Sequence, residues 1–218
     1  MPLDFEWGCG NNVVMRWKLD NQQGTQANGV CCSKSYLWAK RCLTAGSPPQ
    51  TREQYDKELF GQGSLKPLQF LAALNNGVGI GQTSIATQCL HAWGQRAFAK
   101  DQSDDRVDNF NKAIAKGHGL IVDGPLFSMP DYVKGTSHLA WLQRALEDGD
   151  GVYVFTVLAE GRYHHTMAMK IADRSALFDP ETGQFSCPRG EFRDSVLVYM
   201  NQSYPRLEAC DLWKPRLG

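Results

Sequence analysis

The stretch Tyr163-His164-His165-Thr166-Met167-Ala168-Met169-Lys170-Ile171-Ala172, followed across Asp173-Arg174 by Ser175-Ala176-Leu177-Phe178 and Asp179-Pro180-Glu181-Thr182-Gly183, decides how the rest of the chain is read. Apolar residues bounded by turn formers predict two short strands joined by a tight antiparallel reversal. Side chains alternate faces along a strand, so the adjacent histidines point opposite ways. His165 shares a face with Met167, Met169 and Ile171, and His164 shares the other with Thr166, Ala168 and Lys170. Asp179 closes the second strand fourteen residues after His165, at hairpin distance from it. An aspartate before proline is commonly only a turn former. At this position its carboxylate can also hold an imidazole N–H and fix the ring's tautomer. His165 is the preferred base, with His164 the standing alternative.

Working outward, the C-terminal half reads as strand-rich. Strands are expected over Val152–Leu158, Tyr163–Ala172, Ser175–Phe178 and Asp194–Met200, with a short one at Leu120-Ile121-Val122. Ser137 is placed to cap a helix over His138–Asp148, where Leu139, Leu142 and Leu146 recur at helical spacing and Gly149-Asp150-Gly151 ends the run. Residues 51–118 read as mostly helical, with a proline-started segment over Leu65–Leu74 and further helices from about Ser84 to Lys100 and Asp104 to Lys116. Gly77-Val78-Gly79-Ile80-Gly81 lacks the Lys-Ser/Thr that follows a phosphate loop and the full dinucleotide-binding spacing, so it reads as a connection. Nearer the N-terminus, Val13–Leu19 is a candidate strand in an otherwise Gly-, Asn- and Gln-rich opening.

The second informative stretch is Gly29-Val30-Cys31-Cys32-Ser33-Lys34-Ser35-Tyr36-Leu37-Trp38, which places a cysteine between the turn-like Gly24–Gly29 and a helix expected over Cys31–Leu43. Ala45-Gly46-Ser47-Pro48-Pro49 stops that helix. A thiol needs help to ionise at neutral pH, and the unpaired N–H groups and dipole of a helix N-terminus supply it. Cys32 lies about 100° further round the helix, so the two thiols cannot face one cleft. Cys31 is therefore the candidate nucleophile. Cys9, Cys42, Cys89, Cys187 and Cys210 read as small buried hydrophobes. Its own backbone N–H and the side-chain amide of Gln26, five residues upstream, are candidate oxyanion donors, with Gln23 and Asn28 as substitutes. His91, His118 and His138 lie in or near the ends of helical segments and carry no site reading.

Composition narrows the partners. The chain of 218 residues has 23 basic and 23 acidic side chains, so it offers no bulk attraction to nucleic acid or an anionic membrane. No apolar run reaches the roughly 20 residues that span a bilayer. Met1-Pro2-Leu3-Asp4-Phe5-Glu6 lacks the basic and apolar regions of a cleavable signal peptide. Seven cysteines without a C-x-x-C pair suggest reduced thiols and no zinc site. No metal or organic cofactor is expected.

At these residues the chain resembles the YopT/AvrPphB-type family of bacterial effector cysteine proteases, within the papain-like superfamily. The family's Gly-x-Cys…Ser-x-x-Trp block is similar to Gly29, Cys31, Ser35 and Trp38. Its His-Ala-x-Ala strand and Phe-Asp-Pro-Asn-x-Gly turn are similar to His165–Ala168 and Phe178–Gly183. The sequence departs from the pattern at Thr166, Glu181 and Lys34. The resemblance covers about a quarter of the chain, and it supports His165 and Cys31 over their neighbours.

The expected fold is α+β. It is a single papain-like catalytic domain over 1–218, with a helix-rich lobe (about 29–118) carrying Cys31 against an antiparallel, sheet-rich lobe (about 119–218) carrying His165 and Asp179. The expected activity is that of a cysteine endopeptidase with a Cys31-His165-Asp179 triad. A thiol-dependent deamidase, transglutaminase or acyltransferase and a non-catalytic binding module with a degenerate protease fold are the alternatives. The resemblance implies a bacterial effector or toxin, exported by a specialised secretion system without a cleavable signal peptide. It would act on a protein in the target-cell cytosol, with a cognate immunity protein or chaperone as a further candidate partner.

Overall fold

The computed structural model describes residues 3–8, 30–51, 53–55, 111–112, 114–129, 140–159, 165–204 and 207–218. In chain order these form β1 (Asp4–Gly8), α1 (Val30–Ala45), β2 (Leu120–Ile121), β3 (Pro125–Met129), α2 (Ala140–Asp148), β4 (Gly151–Ala159), β5 (His165–Ile171), β6 (Arg174–Asp179), β7 (Gly183–Pro188), α3 (Arg189–Ser203), β8 (Leu207–Trp213) and β9 (Arg216–Leu217). Helical backbone at 111–112 and 114–117 precedes β2. Seven strands make one sheet in the order β1-β7-β6-β5-β4-β8-β3, and β2 pairs with β9 in a separate ribbon. Every pairing in the large sheet is antiparallel. The architecture is α+β, as the sequence predicts.

The strands β4 to β7 form a meander whose turns are written locally. β4 and β5 stay in register from Gly151 opposite Ile171 to Val157 opposite His165. At the β5–β6 reversal the Ser175 hydroxyl donates to the Ala172 carbonyl at 2.9 Å. At the β6–β7 turn Thr182 N–H bonds the Asp179 carbonyl at 3.1 Å, and Gly183 takes a positive φ of 143° that side-chain-bearing residues rarely adopt.

Each face of this sheet buries a helix layer. Helix α1 lies on one face, where Tyr36, Trp38, Ala39 and Cys42 pack with Val152, Val154, Ala168, Phe178 and Trp213. The Trp38 and Phe178 rings stack at 5.6 Å with 5° between their planes. Burial extends round most of α1 from Lys34 to Ala39, since Ile114, Ala115 and Tyr55 cover it from other sides. It ends at Ala45, where Gly46 turns the chain with φ 72°. Helices α2 and α3 lie on the other face. There Trp141, Leu142, Phe192, Val196 and Met200 pack with Phe155, Met167, Met169 and Leu177.

The expected strand over Asp194–Met200 is corrected by the structure: these residues are the middle of α3. Val196-Leu197-Val198-Tyr199 has strand-like composition, but Phe192, Ser195, Val196 and Met200 are the residues it buries, at helical spacing. The expectations at Val13–Leu19, Leu65–Leu74, Gly77–Gly81 and Ser84–Lys100, and those for Cys9, Gln23, Gln26, Asn28, Cys89, His91, Ser137, His138 and His164, lie outside the described residues.

Candidate active site

Cys31 occupies the first turn of α1 and is half-buried. Two side-chain contacts fix how that turn meets the sheet. The Ser35 hydroxyl, one turn along, donates to the Thr166 carbonyl of β5 at 2.9 Å. The Trp38 indole N–H donates to Gln184 Oε1 of β7 at 2.6 Å, and Gln184 passes its own amide N–H to the Pro49 carbonyl at 2.9 Å. Both residues of the Ser-x-x-Trp block thus tie the helix that carries Cys31 to the sheet that carries His165. Thr166, a departure from the family pattern, shares a hydrogen bond of 3.0 Å with the Thr156 hydroxyl. Its polar atom is therefore satisfied in the buried layer under α1.

His165 begins β5, directly beside that Thr166 anchor. It is 3% exposed and Asp179, at the end of β6, is 0% exposed. Nε2 of His165 lies 2.9 Å from Asp179 Oδ1. The Cys31 and His165 side chains also hydrogen-bond. With Nε2 on the aspartate, Nδ1 is the ring nitrogen left to face the sulfur. Asp179 Oδ1 additionally accepts the Glu181 N–H at 2.8 Å, so one carboxylate shapes the turn and orients the imidazole. The turn-former and the partner-of-histidine readings of this residue are both true.

The alternation of faces explains the assembly. Met167, Met169 and Ile171, which share His165's face, belong to the α3-side core, whereas α1 packs on the face of Ala168. The sulfur and the imidazole approach from opposite sides and meet at the end of β5.

Electrostatics follow from this packing. Burial disfavours the Cys31 thiolate, but the His165 hydrogen bond and charge, with the Thr166 and Cys32 N–H groups, outweigh it and hold the thiol below its ordinary range. Burial likewise opposes the imidazolium, yet Asp179 and Cys31 together raise His165 to about 10. Burial pushes Asp179 up, while His165, the Tyr199 hydroxyl and the Glu181 N–H bring it down to about 2. All three directions favour a thiolate–imidazolium–carboxylate line. Cys32 behaves oppositely. It is fully buried against Asn111 Oδ1 at 3.7 Å, and burial followed by the charge of Cys31 pushes its thiol well above its usual value. Adjacent cysteines have thus been given opposite characters by one helical step. Cys42, Cys187 and Cys210 are buried and not in disulfides.

Two residues at this site carry no reading in the sequence. The hydroxyls of Tyr199 and Tyr204 donate to Asp179 Oδ2 at 2.6 Å and 2.9 Å. Their signal was the helical spacing of Phe192, Ser195, Val196 and Tyr199, which places Tyr199 one turn from the helix end and Tyr204 just past it. Gln26 and His164 lie outside the described residues. Among the described residues no group of three or more His, Cys, Asp or Glu side chains is arranged to share a metal ion. Nor is any described helix long and apolar enough to cross a membrane.

No protein-family model and no curated protein matches this sequence. Among solved structures, the Pseudomonas avirulence protein AvrPphB is similar, with a TM-score of 0.54 at 13% identity, over 91% of this chain and 100% of that one. At that identity the likeness is one of fold, and the chain has the papain-like α+β fold of that protein.

Proposed function

We propose that this chain is a papain-like cysteine protease of the YopT/AvrPphB effector type, with Cys31 as nucleophile, His165 as acid and base, and Asp179 as the residue that orients it. The observation that carries this reading is the continuous hydrogen-bonded line from a half-buried thiol at a helix N-terminus, through a buried imidazole, to a fully buried carboxylate. Structural cysteines are inert because burial keeps them protonated. Cys31 is the described cysteine whose neighbours reverse that effect.

In the proposed reaction the Cys31 thiolate attacks the scissile carbonyl carbon, forming a C–S bond as the carbonyl π electrons move to oxygen. The Cys31 backbone N–H and the Gln26 amide are the proposed donors to that oxyanion. His165 gives its Nδ1 proton to the departing amine as the C–N bond breaks. It then takes a proton from the water that hydrolyses the thioester and returns Cys31 to the thiolate. Asp179 keeps Nε2 protonated and the ring aligned throughout. These steps call on no metal ion or organic cofactor.

The fold likeness to AvrPphB, together with the sequence blocks, supports an effector exported into another cell, where it cleaves a protein. Expression of the wild-type chain and Cys31→Ala in candidate target cells, followed by proteomic search for new N-termini, tests this. The proposal expects cleavage products that require Cys31. Deamidated or acylated proteins with intact chains would favour another thiol reaction, and products unchanged by Cys31→Ala would overturn the reading.

A further inference from the structure

The carboxylate of Asp179 divides its work between its two oxygens. Oδ1 serves the imidazole Nε2 and the Glu181 N–H. Oδ2 receives the Tyr199 and Tyr204 hydroxyls, both delivered from the α3 side. Each tyrosine is itself held. The Tyr204 backbone N–H bonds the Met200 carbonyl at 2.7 Å, and its ring stacks on His165 at 5.6 Å with 16° between planes. The Tyr199 hydroxyl also shares a hydrogen bond of 2.7 Å with Thr182 Oγ1 in the β6–β7 turn.

The torsion about an aspartate's Cβ–Cγ bond is soft, so contacts at one oxygen leave the carboxylate plane poorly defined. Donors on the second oxygen define it. They also satisfy a buried anion whose charge is otherwise costly. Phenols suit this task because they are neutral: an Arg or Lys there would cancel much of the field that Asp179 exerts on His165. Burial, then the charge of Asp179, pushes both phenols above their ordinary value, which keeps them protonated and donating.

We propose that Tyr199 and Tyr204 are positioning residues: by clamping Asp179 Oδ2 they hold Oδ1 on His165 and keep the carboxylate ionised, and so set the pH at which Cys31 becomes a thiolate. This rests on the reading of Cys31 as nucleophile. Among the described residues, the titratable groups around the line are Cys31 and Cys32 from α1, His165 from β5, Asp179 from the end of β6, Glu181 from the turn after it, and the two tyrosines. Without the hydroxyls, Oδ2 loses two donors at a buried site where its charge is costly. Asp179 then takes a proton at higher pH, its grip on the ring loosens, and the thiolate–imidazolium pair forms at higher pH.

The test is iodoacetamide alkylation of Cys31 across pH, resolved from the other cysteines by peptide mass spectrometry, in wild type, Tyr199→Phe, Tyr204→Phe, the double variant and Tyr204→Leu. The acid limb of the double variant should move up by about one pH unit, so that alkylation below the limb falls about tenfold. The single Phe variants should lie between. On a cleaved substrate, kcat should fall while KM holds. Tyr204→Phe keeps the stacked ring and loses only the hydroxyl; a limb displaced by Tyr204→Leu but not by Tyr204→Phe would assign the effect to the ring and overturn the clamp. An unmoved limb in a double variant that melts as a folded protein would also overturn it. If the double variant does not fold, the half-buried Tyr199→Phe carries the same expectation, and an unmoved limb there counts against the clamp. Alkylation needs no substrate, so the two readings fail separately. A wild-type limb at an ordinary thiol pH sinks the nucleophile reading, whereas a low wild-type limb that the Phe variants leave in place sinks only the clamp.

Discussion

The two faces of the central sheet use the same strands and different chemistry. Under α1 the sheet presents buried polar groups, Thr156, Thr166, Gln184, Ser186 and Asp211, among its apolar ones, and the helix answers with Ser35 and Trp38. Under α3 the interior is mostly apolar, with Ser195 its buried hydroxyl, and the charged groups His165 and Asp179 appear where the strands end. Directional bonds fix the rotation and height of α1, and with them the position of Cys31 in its first turn. Apolar packing dominates for α3, and the Tyr199 hydroxyl near its end and the Tyr204 hydroxyl just past it reach Asp179. The sheet thus separates the placing of the Cys31 sulfur from the support of the His165–Asp179 pair.

The largest expected effect comes from breaking the His165–Asp179 side. Asp179→Ala should lower activity on the order of 10⁴-fold, as loss of the orienting carboxylate does in hydrolytic triads. It should also cost about 3–5 kcal/mol of stability, because His165, Tyr199 and Tyr204 lose a buried partner. Hydrolysis assays and urea unfolding check the two parts. On the nucleophile side Trp38→Ala removes a stacked ring and the donor to Gln184, and should cost about 3–5 kcal/mol in urea unfolding. Activity per folded molecule should fall less than in Asp179→Ala, since the line from Cys31 to Asp179 stays whole.

A pH series sharpens the contrast. The folded pKa of His165 is raised to about 10, so its stabilisation is fully present below its ordinary 6.5 and is lost as pH rises through about 10. The folded pKa of Asp179 is lowered to about 2, so its stabilisation is present above its ordinary 3.8 and is lost as pH falls through about 2. Wild-type urea midpoints should therefore be highest between those ordinary values, and the difference from Asp179→Ala should shrink on either side. The smallest effect is expected for Ser35→Ala. Losing one hydrogen bond to the Thr166 carbonyl should cost about 1 kcal/mol. A fall in kcat larger than the fall in stability would show that this bond sets the height of Cys31.

What the sequence made legible follows the same division. The β5–β6 hairpin could be read because its turn, apolar run and Asp179 are close in the chain, and α1 because a glycine-bearing loop precedes an apolar-faced segment. Strands β7 and β8 gave no alternating pattern: Gln184, Ser186 and Asp211 point inward, and their partners Trp38, Glu6 and Ser128 are far away in the sequence. Helix α3 was hidden by the β-branched run at Val196 and Val198, whose strand propensity tertiary packing overrode. The tyrosine clamp was lost with it, since a strand would have sent Tyr199 elsewhere. Ser35 and Trp38 were visible as motif residues, but their work as ties to Thr166 and Gln184 required the fold.

In the proposed reaction His165, aligned by Asp179, makes a thiolate of Cys31. The rate of Cys31 alkylation by iodoacetamide across pH, in wild type and His165→Ala, tests it most directly. The wild-type rate should already be high well below the ordinary thiol range, and the His165→Ala rate should rise only towards the ordinary value of 9.0. Superimposable profiles, both rising at the pH of an ordinary thiol, would contradict it.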